Sequence, residues 1–188
     1  MKKPGFLNKL KAEDSLNLVE PSEEISKSYL IKSDKCIQVA NLAYGAGIYE
    51  NAIAEAYYSI YNTVMSLFFK CGIKCENHSG AIILIKELFN LEELYSIFSE
   101  FKKDRIDNQY YIPIVGSEPV SKDKCSERIR TAQGFNLKLR AYINRITIQE
   151  ISSLRKNFED DYWIDFTSYF FLLIKIKIIM MNINAVAT

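Results

Sequence analysis

Residues 49–72 read YENAIAEAYYSIYNTVMSLFFKCG, and the spacing inside this stretch decides the fold. Ile53, Tyr57, Ile60, Tyr61, Val64, Leu67, Phe68 and Cys71 recur three and four apart, which predicts one helix with a broad apolar face. Gly72 is placed to cap its end. Upstream, Ser22 is a candidate N-cap for a helix with apolar positions Ile25, Tyr29, Cys36, Val39 and Ala43, interrupted by Lys32 and ended by Gly45-Ala46-Gly47. Downstream, Ser79 is expected to cap a helix carrying Ile82, Ile85, Leu88 and Phe89, and Asn90 either breaks that helix or lets it continue. Pro113, Gly116 and Pro119 make 112–119 a loop. A last long helix begins near Ser121, where Val120 and Cys125 occupy staple positions, and its stripe is Cys125, Ile129, Ala132, Phe135, Leu139, Ile143 and Ile146. No strand pattern precedes residue 166. The expected fold is all-α: an antiparallel bundle of four to five helices over residues 22–152, with a loose N-terminal arm over 1–21 and a separate tail over 153–188.

One residue breaks the patterning. The stripe Leu91, Leu94, Phe98, Phe101 reaches Arg105 at its next position. A guanidinium on a core-facing stripe must find a carboxylate, a carbonyl, an anionic ligand or a subunit boundary. Mostly polar residues follow (Ile106, Asp107, Asn108, Gln109, Tyr110, Tyr111) before Pro113 forbids further helix. Functional sites tend to violate local rules in this way.

Composition frames what such a site can serve. The 188 residues, 48% hydrophobic and 25% charged, suffice for one domain with a real core. A formal net charge of +1 argues against bulk non-specific nucleic-acid binding. Lysines open the chain, but Pro4, Gly5 and polar residues follow in place of an apolar leader. Cys36, Cys71, Cys75 and Cys125 are therefore expected as reduced thiols of a cytoplasmic protein.

The run Tyr49-Glu50-Asn51-Ala52-Ile53, then Ala56-Tyr57-Tyr58-Ser59-Ile60-Tyr61-Asn62, then His78-Ser79-Gly80, then Arg105 with Tyr110, resembles the HEPN superfamily over about residues 22–150. The resemblance implies a small helical bundle, commonly a homodimer, of the kind found in RNA-cleaving toxins, their relatives and nucleotide-linked defence systems. It further implies RNA or nucleotide as ligand, and a nucleotidyltransferase-type antitoxin as partner. In some such pairs the partner modifies a tyrosine near the motif, a role open to Tyr110 or Tyr111. Gly116-Ser117 lacks a paired-aspartate motif downstream, so this chain is not itself the transferase.

The departure from the family is equally informative. Nuclease members carry an arginine, four to six residues, then a histidine, whereas here Arg105 is followed by Tyr110, Tyr111 and Ile112. The chain's one histidine is His78. On a straight helix it would lie about 40 Å from Arg105 at ~1.5 Å per residue, so the two are not expected in one site. Metal-independent RNA cleavage needs a base for the 2′-hydroxyl and a cation for the charged phosphorane. Arginine suits the second role, while tyrosine, with a pKa near 10, is a poor base. Arg105 with Tyr110 thus reads as an anion-binding pair, or as the catalytic pair of a ribonuclease with a non-histidine base. The bland alternative is an ion pair in the core or at a dimer interface.

Asn108, Tyr58 and Tyr111 complete the candidate ligand-binding set around Arg105, because Tyr58 points off the apolar stripe. Tyr57 and Tyr61 are expected as core residues with satisfied hydroxyls. Cys71, Cys75 and His78 offer metal-like spacing, but each has a simpler reading and no metal or cofactor is expected. The cations Lys124, Arg128, Arg130, Lys138, Arg140 and Arg145 spread around the last helix as a solvated face or, if dimerisation aligned them with Arg105, an RNA-facing stripe. In the tail, Ile174–Ile178 alternates with lysine in a strand-like pattern. Phe166–Met181 is long enough to consider a membrane anchor, but Lys175 and Lys177 oppose spanning. A purely structural helical protein remains the third reading.

Overall fold

The computed structural model describes residues 5–110 and 120–159, the side chains of 108–110 excepted. The elements are α1 (Gly5–Ala12), β1 (Leu16–Leu18), α2 (Glu23–Gly45), α3 (Tyr49–Cys71), β2 (Ile73–Cys75), α4 (His78–Glu87), α5 (Glu92–Tyr110) and α6 (Lys122–Arg145), followed by a helical stretch over 148–159, here α7. The fold is all-α apart from a two-stranded antiparallel sheet, in which Leu16 pairs with Cys75 and Leu18 with Ile73.

α3 is the axis. Its predicted stripe is buried, with Ile53, Tyr57, Ile60, Val64, Leu67, Phe68 and Cys71 all at 0% exposure. α2, α5 and α6 pack around it. Ser22 caps α2 by accepting from the Ile25 amide (3.2 Å), with Glu23 and Glu24 in the first turn where the helix dipole favours them. Gly72 ends α3 in the left-handed conformation, φ 69°. Arg155 of α7 then donates from Nη1 to the carbonyls of Val19 (2.8 Å), Cys71 (3.2 Å) and Gly72 (2.9 Å). A cation thereby meets the negative end of the α3 dipole.

The α2 stripe differs from expectation. Ile25 and Val39 stay 42% and 46% exposed, and the buried face is Ser26, Ser33 and Ala40. Small residues at seven-residue spacing let α2 approach α3 closely, and their hydroxyls find partners across the seam. Ser26 meets Ser66 at 2.9 Å and Ser33 meets Thr63 at 2.8 Å. Thr63 donates to Asn136 Oδ1 of α6 (2.9 Å), whose Nδ2 donates to Ser59 (3.1 Å). A buried polar network satisfied in this way fixes register among three helices. The α6 stripe runs as predicted from Cys125 to Ile146.

The ends of the chain also differ. Leu7, Leu10 and Leu16 are buried in the common core, so residues 5–18 are not a loose arm. Strands of three residues carry too little periodicity to be read from sequence. Beyond 146, Thr147 and Glu150 form a capping box that starts α7, and Phe158 is buried against the core. Residues 111–119 and 160–188, which include the expected loop and the alternating tail, lie outside the described residues.

Candidate functional site

The junction of α4 and α5 builds the site. Asn90 adopts φ 54°, a left-handed conformation that asparagine tolerates better than other side chains with a Cβ. The Leu91 amide returns to the Ile85 carbonyl at 3.0 Å. The chain therefore reverses here, and α5 packs back along α4. A straight helix would have kept the start of α4 and the end of α5 far apart. The reversal brings them together, which corrects the expectation that His78 and Arg105 belong to separate places.

α4 starts one residue before the expected cap. Asn77, not Ser79, is its N-cap, with Oδ1 accepting from the Gly80 amide at 2.9 Å. Gly80 allows this end of α4 to sit tightly on α1. A Cβ there would come within 2.5 Å of Leu10 Cδ1 and 3.1 Å of Cys75 Sγ. His78, in the first turn, is laid against α3: its ring stacks on Tyr61 at 4.1 Å between centroids and lies 5.7 Å from the Tyr57 centroid. His78 Nδ1 is hydrogen-bonded to Tyr57 Oη.

From the other side, α5 delivers its stripe. Phe98 and Phe101 are fully buried, and Phe98 packs on Tyr57 at 5.9 Å. One turn on, the Arg105 guanidinium lies 5.6 Å from the Tyr57 ring centroid and 5.4 Å from that of Tyr58. Cation–π contacts of this kind contribute about 0.5–2 kcal/mol each. Lys102 Nζ donates to Ser79 Oγ. Tyr58, Tyr61, His78, Ser79, Lys102 and Arg105 are all half-buried, sheltered from bulk water yet not sealed in the core.

The electrostatics follow from this packing. Burial pushes the Tyr57 phenol far above its ordinary pKa, against a smaller opposite pull from Arg105. Burial raises Tyr61 to about 12. Burial, then Arg105, then Lys102, hold His78 below the usual imidazole value, so it is neutral at pH 7. A phenol that keeps its proton in the core needs an acceptor. We therefore assign Tyr57 O–H as donor to His78 Nδ1, which leaves the imidazole proton on Nε2. The cluster combines two cations, a neutral N–H donor and stacked aromatic rings, and it can hold an anion.

Tyr57 is a core residue with a satisfied hydroxyl, as expected, and the structure brings Tyr58 to Arg105. Asn108 and Tyr110 fall on the last turn of α5, but their side chains are not described, and Tyr111 lies outside the described residues. Sequence reasoning missed Lys102, Ser79 and the convergence of His78. The only local signal for the last was Asn90.

Cys71 is a core thiol pushed up by burial to about 12. Cys75, raised to about 11, donates to the Asn77 carbonyl at 3.4 Å. Among the described residues no group of three or more His, Cys, Asp or Glu converges to hold a metal. Several α6 cations are engaged between helices: Arg128 pairs with Asp104 at 2.7 Å and with Glu100 at 3.3 Å, and Arg140 with Asp34 at 2.7 Å. Lys138 pairs with Glu93. Among the described residues, no helix is long and apolar enough to cross a membrane.

A comparison with curated proteins finds no match. Against protein-family models, the HEPN domain matches residues 26–141, more than half of the chain and the whole of the α2–α6 assembly except its first and last turns. With the helical architecture and the Arg105 cluster in place, the conclusion is plain: this chain belongs to the HEPN domain family.

Proposed function

We propose that this HEPN protein binds a phosphate group of RNA or of a nucleotide, with Arg105 as the principal anion-binding residue. On this reading it acts in the cytoplasm as a homodimer, with a nucleotidyltransferase-type partner in a toxin–antitoxin or defence system. The observation that carries the proposal is the convergence of Arg105 and Lys102 on the Tyr57–His78 pair. Phosphate oxygens match the bidentate geometry of a guanidinium. Nearby tyrosine and histidine faces suit stacking with a base, worth about 1–3 kcal/mol per base where it occurs. The α6 cations lend little support to an RNA-facing stripe, since several are spent on ion pairs with α5 and α2.

A metal-independent ribonuclease is the second reading, and one observation favours it: an imidazole does stand near Arg105, supplied by α4 instead of by the motif position. Against it, the assigned tautomer makes His78 Nε2 a donor, not a proton acceptor. One experiment separates the two. Labelled RNA and nucleotides are mixed with wild-type and Arg105→Ala protein in the presence of a chelator, and binding and strand cleavage are read together. Binding without cleavage, lost in the variant, supports the binding module; cleavage lost in the variant supports the nuclease. Equal binding by both proteins would remove Arg105 from any functional role.

A further inference from the structure

We propose that the outer face of α2 is a docking surface for a partner protein that presents an apolar helix flanked by acidic residues. The inference stands apart from the anion-binding reading and uses none of its residues.

α2 is built inside out. Its contact with α3 is made by Ser26, Ser33 and Ala40, with hydroxyl pairs across the seam, while four of its aliphatic side chains are left in solvent. Among the described residues seven large hydrophobic side chains are exposed, and five belong to α2 or the turn after it: Ile25, Ile31, Val39, Leu42 and Ile48. Exposed aliphatics scattered singly need no explanation, but their collection on one helix does. At ~100° per residue, Ile25, Ile31, Val39 and Leu42 fall within an arc of about 120°, and they span about 26 Å at ~1.5 Å per residue. A strip of that width and length matches one helix laid alongside.

Charge says which helix. Lys32 and Lys35 lie on the same arc, both exposed, and among the described residues neither forms an ion pair. The arc's one carboxylate, Glu24, is in the first turn. Asp34 lies off the arc and is held by Arg140 of α6. The strip is therefore apolar with a cationic middle. A second copy of the chain fits it poorly. Two-fold symmetry pairs α2 with itself either parallel, which sets each lysine beside its own counterpart, or antiparallel about the midpoint of the strip. That midpoint falls between Lys32 and Lys35, so the lysines of both copies would gather there, and like charges so placed oppose association. On this argument a homodimer meets on another face. Acidic residues flanking an apolar stripe instead pair with both lysines while the stripe covers Ile31 and Leu42.

The probe is a synthetic amphipathic helix with leucine at heptad positions a and d and glutamate at e and g, beside a twin with lysine in place of glutamate. Fluorescence anisotropy of the labelled peptides reads binding to the full chain. The glutamate peptide is expected to bind about tenfold more tightly than its twin, by a margin that shrinks as salt is added. Lys35→Glu should abolish that preference, and Lys32→Glu together with Lys35→Glu should reverse it. Leu42→Ser should weaken the glutamate peptide about tenfold. All three positions are exposed, and substitutions there leave stability nearly unchanged.

Equal affinity for the two peptides, no affinity for the glutamate peptide, or a preference that survives the double charge reversal would overturn the inference. So would three results that give the face another occupant. A dimer in light scattering that Leu42→Ser dissociates would make the occupant a second copy. A urea midpoint that falls sharply in Leu42→Ser would mean that a segment of the chain itself covers the face. Binding to mixed phosphatidylcholine–phosphatidylserine vesicles that Leu42→Ser abolishes would make it a membrane surface.

Discussion

Gly72→Ala tests how α3 is closed at its C-terminus. The residue sits at φ 69°, and an added Cβ would lie 2.0 Å from Arg155 Nη1, 2.5 Å from the Val19 carbonyl oxygen and 2.9 Å from Pro21 Cδ. A left-handed alanine costs about 1 kcal/mol, and relieving the backbone contact with Val19 costs about 1 kcal/mol more through bent angles. Arg155 must also leave, giving up its bonds to Val19, Cys71 and Gly72. Three acceptors share one nitrogen with two protons, so the loss is less than that of three separate bonds and comes to about 2 kcal/mol. The total, about 4 kcal/mol, is a large part of a typical domain's stability. Urea unfolding followed by circular dichroism reads it. Arg155→Ala alone should cost about 2 kcal/mol, and the double variant about 4 kcal/mol, because the alanine then evicts nothing. Fully additive losses, or a Gly72→Ala cost under about 1 kcal/mol, would refute the close packing of α7 on this cap.

Two further outcomes follow from the interior. Because His78 holds its proton less tightly folded than unfolded, its contribution to stability is complete above the unfolded value of about 6.5. That contribution is lost as pH falls from there towards the lower folded value. Urea midpoints at pH 5 and pH 7.5 should differ more for wild-type protein than for His78→Asn, and an equal difference would show that the imidazole is not held neutral. Asn136→Ala breaks the links to Thr63 and Ser59 and leaves a cavity in the buried seam, while Thr63 keeps Ser33 and Ser59 keeps the Ala56 carbonyl as partners. It should lower stability by about 2 kcal/mol; a loss below about 0.5 kcal/mol would mean the network contributes little beyond packing.

The sequence made the apolar faces of α3, α5 and α6 legible because each is read by a single period. α2 was misread for a physical reason. Its contact face is built from Ser26, Ser33 and Ala40, which a hydrophobicity pattern scores as solvent-facing, while Ile31 and Leu42 remain 58% and 74% exposed. Only the partners Ser66 and Thr63, far away in sequence, make those serines core residues. α1 and β1 were invisible for a related reason: eight-residue and three-residue elements are too short for a period, and Leu7, Leu10 and Leu16 become core only through β2 and α4. The Thr147–Glu150 box, by contrast, could have been read as a helix start.

The site was half legible for a reason that bears on how such motifs work. Arg105 stood out because it violates a stripe, and the sequence offered four ways to satisfy it: a carboxylate, a carbonyl, an anion or a subunit boundary. The structure adds another, the faces of Tyr57 and Tyr58, whose quadrupoles favour a cation without neutralising it. The neighbouring carboxylate, Asp104, pairs with Arg128 of α6. The imidazole that a linear Arg-to-His count cannot find enters through a chain reversal at Asn90. Motif spacing records where residues lie along one helix, while the chemistry depends on what a turn of a few residues sets beside it. The imidazole beside Arg105 therefore comes from α4 and not from the residues that follow the arginine, and its bond with Tyr57 fixes the tautomer it presents.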